Sequence, residues 1–213
     1  MSLTVALSKG KLLLGTEVLF RRASLPFPEG ESRRLVVPMD GLRFLFVKDM
    51  DVPTYVEYGV ADCGIAGRDV LLETRSDVYE PLDLGFGQCR LVVARKKGAP
   101  FAYDRASTLR VATKYPRVTA AHFLERGLSA EVVRLAGSVE LAPGLGLADC
   151  IVDVVQTGQT LEENGLEPVE DVATSSARLI VNRASFHARR AAVSDLLATL
   201  RTTAETWAAK EKA

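Results

Sequence analysis

The segment Asp149-Cys150-Ile151-Val152-Asp153-Val154-Val155-Gln156-Thr157-Gly158-Gln159-Thr160-Leu161 runs an apolar strand into Thr-Gly-x-Thr. Glycine permits a tight turn in which successive backbone N–H groups point inward. Two threonine hydroxyls add donors, so the segment suits a terminal phosphate. An ordinary strand-to-helix turn fits the same pattern, with Thr160 as N-cap and Glu162 and Glu163 complementing the helix dipole. No Gly-Lys-Ser/Thr follows, so this is not a Walker loop. Strand alternation puts residues 149, 151 and 153 on one face, from which Asp149 and Asp153 could hold ribose hydroxyls or, through water, a magnesium ion. Solvated acids at a sheet rim fit that spacing equally well.

A second group is basic. Residues 1 to 34 carry Lys9, Lys11, Arg21, Arg22, Arg33 and Arg34 against Glu17, Glu29 and Glu31. Lys9-Gly10-Lys11 falls at a strand-to-helix junction, where backbone donors and ammonium groups can meet an anion. Arg21 and Arg22 read as a solvated pair. His122 and His187 lie far apart, and no nucleophile triad, metal-binding histidine motif or Gly-x-Ser-x-Gly elbow occurs. A metal site made wholly of protein side chains is not expected. Cys63, Cys89 and Cys150 are widely spaced in apolar, strand-like contexts and read as reduced, buried thiols. What remains is positioning and electrostatic stabilisation on a charged, phosphorylated ribose.

The elements that must position these groups alternate between short apolar β-rich runs and helical patterns, which defines an α/β chain. Strands are expected at Thr4–Leu7, Leu35–Pro38, Arg43–Val47, Cys63–Ala66, Arg90–Ala94, Leu109–Thr113, Val132–Leu135, Cys150–Val155 and Arg178–Val181. A helix starts at Ser8-Lys9-Gly10-Lys11 and runs to about Ala23. Pro53 opens a short one that Gly59 closes, and Pro116 opens another to about Arg126. From Ser185 the tail is helical, with Val193, Leu196, Leu197, Leu200, Ala204 and Trp207 on one stripe. Gly59-Val60-Ala61-Asp62-Cys63 recurs 87 residues later as Gly146-Leu147-Ala148-Asp149-Cys150, which suggests two similar lobes. Arg95 to Pro100, polar and containing Gly and Pro, reads as the crossover. The lobes are expected at 1–94 plus 178–213, and at 95–177.

Composition narrows the function. The chain has 213 residues, 47% of them hydrophobic, and 27 basic residues balance 27 acidic ones, so no global field draws it to nucleic acid or anionic lipid. Pro, Gly or charge interrupts every apolar run before the ~18 residues of a membrane span. The stretch from Leu3 to Leu7 is too short for a secretory signal, so a cytoplasmic protein is expected.

These residues sit within longer motifs. They are Ala6-Leu7-Ser8-Lys9-Gly10-Lys11-Leu12, Asp51 to Gly59, Ala61 to Val70, Gly85-Phe86-Gly87-Gln88-Cys89-Arg90, Val111-Ala112-Thr113-Lys114-Tyr115-Pro116 and Gly137-Ser138-Val139-Glu140-Leu141-Ala142-Pro143, followed by Thr-Gly-x-Thr. Over nearly its whole length the chain resembles the short-form catalytic subunit of ATP phosphoribosyltransferase, an enzyme of histidine biosynthesis. The resemblance implies a two-lobed fold like that of type II periplasmic binding proteins, each lobe a small sheet flanked by helices, with the active site in the cleft. It implies transfer of phosphoribose from 5-phosphoribosyl-1-pyrophosphate to N1 of ATP, giving phosphoribosyl-ATP and pyrophosphate, with magnesium carried by the substrate.

On this resemblance, Gln156, Thr157, Gly158, Gln159 and Thr160 hold phosphoribosyl pyrophosphate with Glu140, Asp149 and Asp153. Lys9, Arg33, Arg34 and Lys48 act electrostatically on the leaving group or on ATP phosphates, and Gly10 and Lys11 bind an anion or ATP. Ser8, Leu14, Gln88, Gln156 and Gln159 depart from the residues common in the family at their positions. The chain ends at Ala213 without room for the regulatory domain of a long form. That implies a regulatory subunit similar to histidyl-tRNA synthetase, assembling with catalytic homodimers into a hetero-octamer. A noncatalytic two-lobed small-molecule-binding or scaffold subunit is the rival reading, because a fold alone does not fix an activity.

Overall fold

The computed structural model describes residues 2–28, 34–99 and 108–211. In chain order the elements are β1 (Leu3–Ser8), α1 (Leu13–Arg22), β2 (Val36–Pro38), β3 (Leu42–Val47), α2 (Val52–Glu57), β4 (Cys63–Gly67), α3 (Arg68–Thr74), β5 (Tyr79–Asp83), β6 (Cys89–Lys96), β7 (Leu109–Thr113) and α4 (Pro116–Glu125). Then follow β8 (Ala130–Arg134), β9 (Cys150–Val155), α5 (Gln159–Glu163), β10 (Leu166–Ser175), β11 (Ala177–Val181), α6 (Arg183–Ala188) and α7 (Arg190–Glu211). Single 3₁₀ turns cover Asp49–Asp51 and Val139–Leu141.

The chain divides into two units, Met1–Gln88 with Ser176–Ala213, and Cys89–Ser175. The sequence reading put the crossings at 94/95 and 177/178. They fall earlier because β6 pairs along its whole length with β9 and β10 of the second sheet, while β11 pairs with β4 and β5 of the first.

The first unit's sheet has the order β2-β3-β1-β4-β11-β5, with β1 parallel to β3 and β4. β1 is buried at every position because it is covered on both faces, as a central parallel strand must be. Leu3, Val5 and Leu7 join Leu19 and Phe20 of α1 and Val193, Leu196 and Leu200 of α7, whereas Ala6 on the other face joins Val52 and Val56 of α2 and Leu71 of α3. Phe20, Phe27 and Phe44 meet at centroid distances of 5.4–5.7 Å, within the range of favourable edge contacts. The tail stripe packs as its spacing predicts. The tail itself is two helices, with a break at Arg189.

The second unit's sheet has the order β10-β6-β9-β7-β8, with β7 parallel to β8 and β9. Its register repeats the first. Leu3 faces Leu42 as Leu109 faces Ala130, and Val5 faces Cys63 as Val111 faces Cys150. The repeated pentapeptide performs the same task twice. Gly59 and Gly146 adopt φ of 70° and 74°, a conformation open to glycine. Asp62 N–H donates to Thr4 O and its carboxylate accepts Thr4 N–H, both at 2.8 Å. Asp149 does the same with Arg110, at 2.8 and 2.7 Å. Each aspartate thus clamps the start of the strand that lies between two parallel neighbours in its sheet.

Candidate active site

In a parallel sheet, ligands gather outside the carboxyl ends of the strands. In the second unit these ends are Thr113, Arg134 and Val155, and the segments beyond them hold most of the acidic and hydroxyl residues singled out above. Residues 156–158 form a bend with Gly158 at φ 86°, and α5 starts at Gln159. Gly158 is the N-cap and no side chain caps the helix, so Thr160 lies inside α5 rather than at its cap. The first intrahelical bond is Glu162 N–H to Gly158 O, so the N–H groups of Gln159, Thr160 and Leu161 precede it. The Thr157 hydroxyl reaches Gln159 N–H only at 3.5 Å, at the limit of a hydrogen bond. Gln156, Thr157, Gln159 and Thr160 are exposed, and the Gln159 amide donates to Glu163 at 2.8 Å.

Asp153 shares its strand face with Ile151 and Val155. That face packs with Val139 and Ala142 around the 3₁₀ turn and with Leu161 of α5. Half-buried Asp153 and Glu140 therefore lie on the same side of the sheet as the Thr-Gly-x-Thr turn. Ser138, which leads into the Glu140 turn, adopts φ 50°, an uncommon value for a residue with a side chain. Asp149 does not join this group. It precedes the first residue of β9, six residues of strand or roughly 20 Å from the turn, and its carboxylate is bound to Arg110 N–H. Asp149 lies outside β9, so strand alternation does not extend to it, and alternation says nothing about which end of the strand faces the ligand.

In the first unit the carboxyl ends of β1, β3 and β4 carry the basic residues. Ser8 pairs with Val47, so Lys9 and Lys48 follow at neighbouring positions on that edge. The expected helix start at Lys9 is instead a turn: Gly10 N–H donates to Ser8 Oγ at 2.9 Å, Leu13 N–H donates to Gly10 O, and α1 begins at Leu13. Lys9, Gly10, Lys11 and Lys48 are exposed, with the Lys9 ammonium 5.6 Å from the Phe46 ring centroid. Arg34 is exposed just before β2, and Arg33 lies outside the described residues. Two cations went unassigned in the sequence reading, Arg68 after β4 and Lys114 after β7. A strand-end position was the signal available for both.

The thiols of Cys63 and Cys150 are fully buried, and desolvation with the adjacent aspartate pushes each up to about 12, so neither is a nucleophile. His122 is buried on α4, its pKa held below the usual histidine range by desolvation and Arg126, against the opposing pull of Glu170. Among the described residues no three His, Cys, Asp or Glu side chains come together to hold a metal ion.

Two α/β units with matched strand orders, one with a hydroxyl-bearing turn and the other with exposed cations at the ends of its parallel strands, define a two-unit α/β protein. The periplasmic aliphatic sulphonate binding protein SsuA from Escherichia coli shares the fold, with a TM-score of 0.63 at 13% identity over 99% of this chain and 75% of that one. A model of the ATP phosphoribosyltransferase family matches residues 48–202. The ATP phosphoribosyltransferase of Sorangium cellulosum is 51% identical over 204 residues, covering 93% of this chain and 94% of that protein. The ATP phosphoribosyl transferase (HisG:HisZ) complex from Thermotoga maritima contains a chain that superposes with a TM-score of 0.85 at 33% identity, over 96% of this chain and 99% of that one. The chain belongs to the ATP phosphoribosyltransferase family.

Proposed function

We infer that the chain transfers phosphoribose from 5-phosphoribosyl-1-pyrophosphate to N1 of ATP, releasing pyrophosphate, in the first step of histidine biosynthesis. The observation that carries the site assignment is the joint placement of Asp153, Glu140 and the Thr-Gly-x-Thr turn on one side of the second sheet, at the carboxyl end of its central strands. Such a group suits a ribose with a terminal phosphate. The turn offers the early N–H groups of α5 and two hydroxyls to the phosphate, and the carboxylates accept ribose hydroxyls.

Adenine N1 has a lone pair and needs no general base. In the reaction the bond from the anomeric carbon to the pyrophosphate oxygen breaks as the N1 to carbon bond forms. Positive charge develops on the ribose and negative charge on the departing oxygen. Asp153 and Glu140 stabilise the former, while Lys9, Lys11, Lys48, Arg33 and Arg34 are assigned to the latter or to ATP phosphates. Gly10 belongs to that anion group through its place in the turn. Magnesium enters as part of the phosphate substrate, consistent with its habit of keeping water and using few protein ligands. Asp149 is left out of the ligand set by its position.

The neighbouring complex from Thermotoga maritima supports a regulatory partner similar to its second component, HisZ. We assign this chain to a cytoplasmic hetero-oligomer built on catalytic homodimers. Among the described residues no helix is long and apolar enough to cross a membrane.

The test is incubation of the purified chain with ATP, phosphoribosyl pyrophosphate, magnesium and a pyrophosphatase, with and without the synthetase-like subunit. Phosphoribosyl-ATP is followed by mass and ultraviolet absorbance. Product is expected, and the double change Thr157→Ala, Thr160→Ala is expected to raise KM for phosphoribosyl pyrophosphate at least tenfold, as loss of hydroxyl contacts to a charged group implies. No product from the folded chain in either condition would reject the activity.

A further inference from the structure

We propose that Arg68 is a further substrate-binding residue, a cation that grips the same polyphosphate as Lys9, Lys11 and Lys48 in the first unit. The proposal rests on the transferase reading above and adds to it a residue that neither the sequence motifs nor the Thr-Gly-x-Thr turn assigns.

Position comes first. β1, β3 and β4 run in one direction as neighbours, with Ser8 paired to Val47 and Ala6 to Gly64. Lys9 therefore follows β1, Lys48 follows β3, and Arg68 follows Gly67 at the end of β4. Three adjacent strands each deliver a cation to one edge. Like charges at neighbouring positions repel, so an arrangement of this kind calls for an anion.

Charge pairing comes second. Several exposed arginines of this chain are neutralised, Arg21 by Glu17, Arg90 by Asp171 and Arg183 by Asp77, whereas Arg75, Arg134 and Arg190 form no ion pair among the described residues, so it is the gathering of cations on adjacent strand ends that sets this group apart. The exposed side chains of Lys11, Lys48 and Arg68 form no hydrogen bond or ion pair among the described residues. Acids are close in sequence, yet Asp69 is buried, and both Asp69 and Asp49 already have partners. Asp51 remains exposed, one carboxylate among several cations.

The repeated frame points the same way. The register that matches Cys63 to Cys150 makes the end of β4 the counterpart, in its own sheet, of the end of β9. In the second unit the bend at 156–158 separates strand from helix. In the first, β4 passes directly into α3, and the Arg68 N–H is already donated to Ser176 O at 3.0 Å. That junction has no turn to cradle a phosphate with backbone groups. Any anion recognition there falls to the guanidinium, whose planar fork accepts two phosphate oxygens at once.

Arg68→Ala and Arg68→Lys in the full chain test this. Binding of inorganic pyrophosphate is measured by calorimetry, and KM for phosphoribosyl pyrophosphate and for ATP is measured with the regulatory partner present. Arg68→Ala is expected to weaken pyrophosphate at least tenfold with an unchanged urea unfolding midpoint. Arg68→Lys should weaken it less, because it keeps the charge and loses the fork. A KM rise confined to phosphoribosyl pyrophosphate identifies the leaving group as the ligand, and one confined to ATP identifies the triphosphate; either supports the proposal. An active wild-type enzyme whose Arg68→Ala variant binds pyrophosphate and both substrates unchanged overturns it. A folded wild-type chain that makes no product overturns the transferase reading instead, and this proposal with it.

Discussion

Replacing Asp62 and Asp149 by alanine, one at a time, compares two aspartates that hold matching places in the two sheets and differ in their surroundings. The Asp62 side chain is 7% exposed and accepts Thr4 N–H at 2.8 Å, the Ser185 hydroxyl at 2.7 Å and the Arg189 guanidinium at 3.1 Å. Its loss strands a buried backbone donor, which costs about 1–3 kcal/mol, and removes two further bonds of about 1 kcal/mol each, giving roughly 3–5 kcal/mol. The Asp149 side chain is 46% exposed, accepts Arg110 N–H at 2.7 Å and has the Arg110 guanidinium only at 4.0 Å. Water replaces that bond at small cost, so about 0.5–1.5 kcal/mol is expected. Urea unfolding followed by circular dichroism reads the difference, and product formation by Asp149→Ala reads its functional side. Stability losses of equal size would refute the ledger. An Asp149→Ala variant that keeps full stability and loses turnover would return Asp149 to the substrate ligands.

Gly64→Ala should destabilise the first unit by about 1–3 kcal/mol, because a Cβ there would lie 2.8 Å from Val56 Cγ2 and 3.1 Å from the Ala6 carbonyl oxygen; thermal unfolding at the wild-type temperature would show the cavity had room. His122 gives a pH dependence of definite sign. Burial and Arg126 hold its folded pKa below the 6.5 of the free side chain, so the unfolded chain takes up a proton first as pH falls. Its contribution to stability is full above about pH 6.5 and is lost as pH drops through that value toward the folded pKa. Between pH 7.5 and 5.5 the wild type should lose more of its urea midpoint than His122→Gln, and equal losses would contradict the assignment.

The strands of the two sheet centres were legible because burial on both faces writes itself as continuous apolar runs, as in Leu3 to Leu7 and Cys150 to Val155. Of the four edge strands, β2 and β8 were legible and β5 and β10 were not. β5 reads Tyr-Glu-Pro-Leu-Asp and β10 contains Pro168 and three acids, compositions that suit an edge where a proline needs no partner and charge faces water. α1 starts later than its sequence suggests because the Ser8 hydroxyl, which closes the Lys9-Gly10 turn, looks like any helix N-cap in sequence. The residues proposed for the substrate phosphate on the Thr-Gly-x-Thr turn carry their signal in residue type. Arg68 has only its place after an expected strand, which means little until β4 is known to lie parallel beside β1.

The duplicated frame also explains why the two sheet edges carry different chemistry. The strand orders match, the aspartate clamps match, and the differences collect at the carboxyl ends: a hydroxyl-bearing turn and two carboxylates beside Lys114 and Arg134 in one unit, a group of exposed cations in the other. In a phosphoribosyl transfer the sugar phosphate keeps its charge from start to finish, so fixed neutral donors serve it throughout. The departing pyrophosphate gains charge as its bond breaks and must then leave. Exposed lysines assigned to it would strengthen with that charge and, being screened, release the product. Exchanging the two sets should therefore fail unequally: a lysine introduced by Thr160→Lys should tighten phosphoribosyl pyrophosphate while slowing turnover, visible as a fall in KM and kcat together. A rise in both would mean that the turn does not face the sugar phosphate.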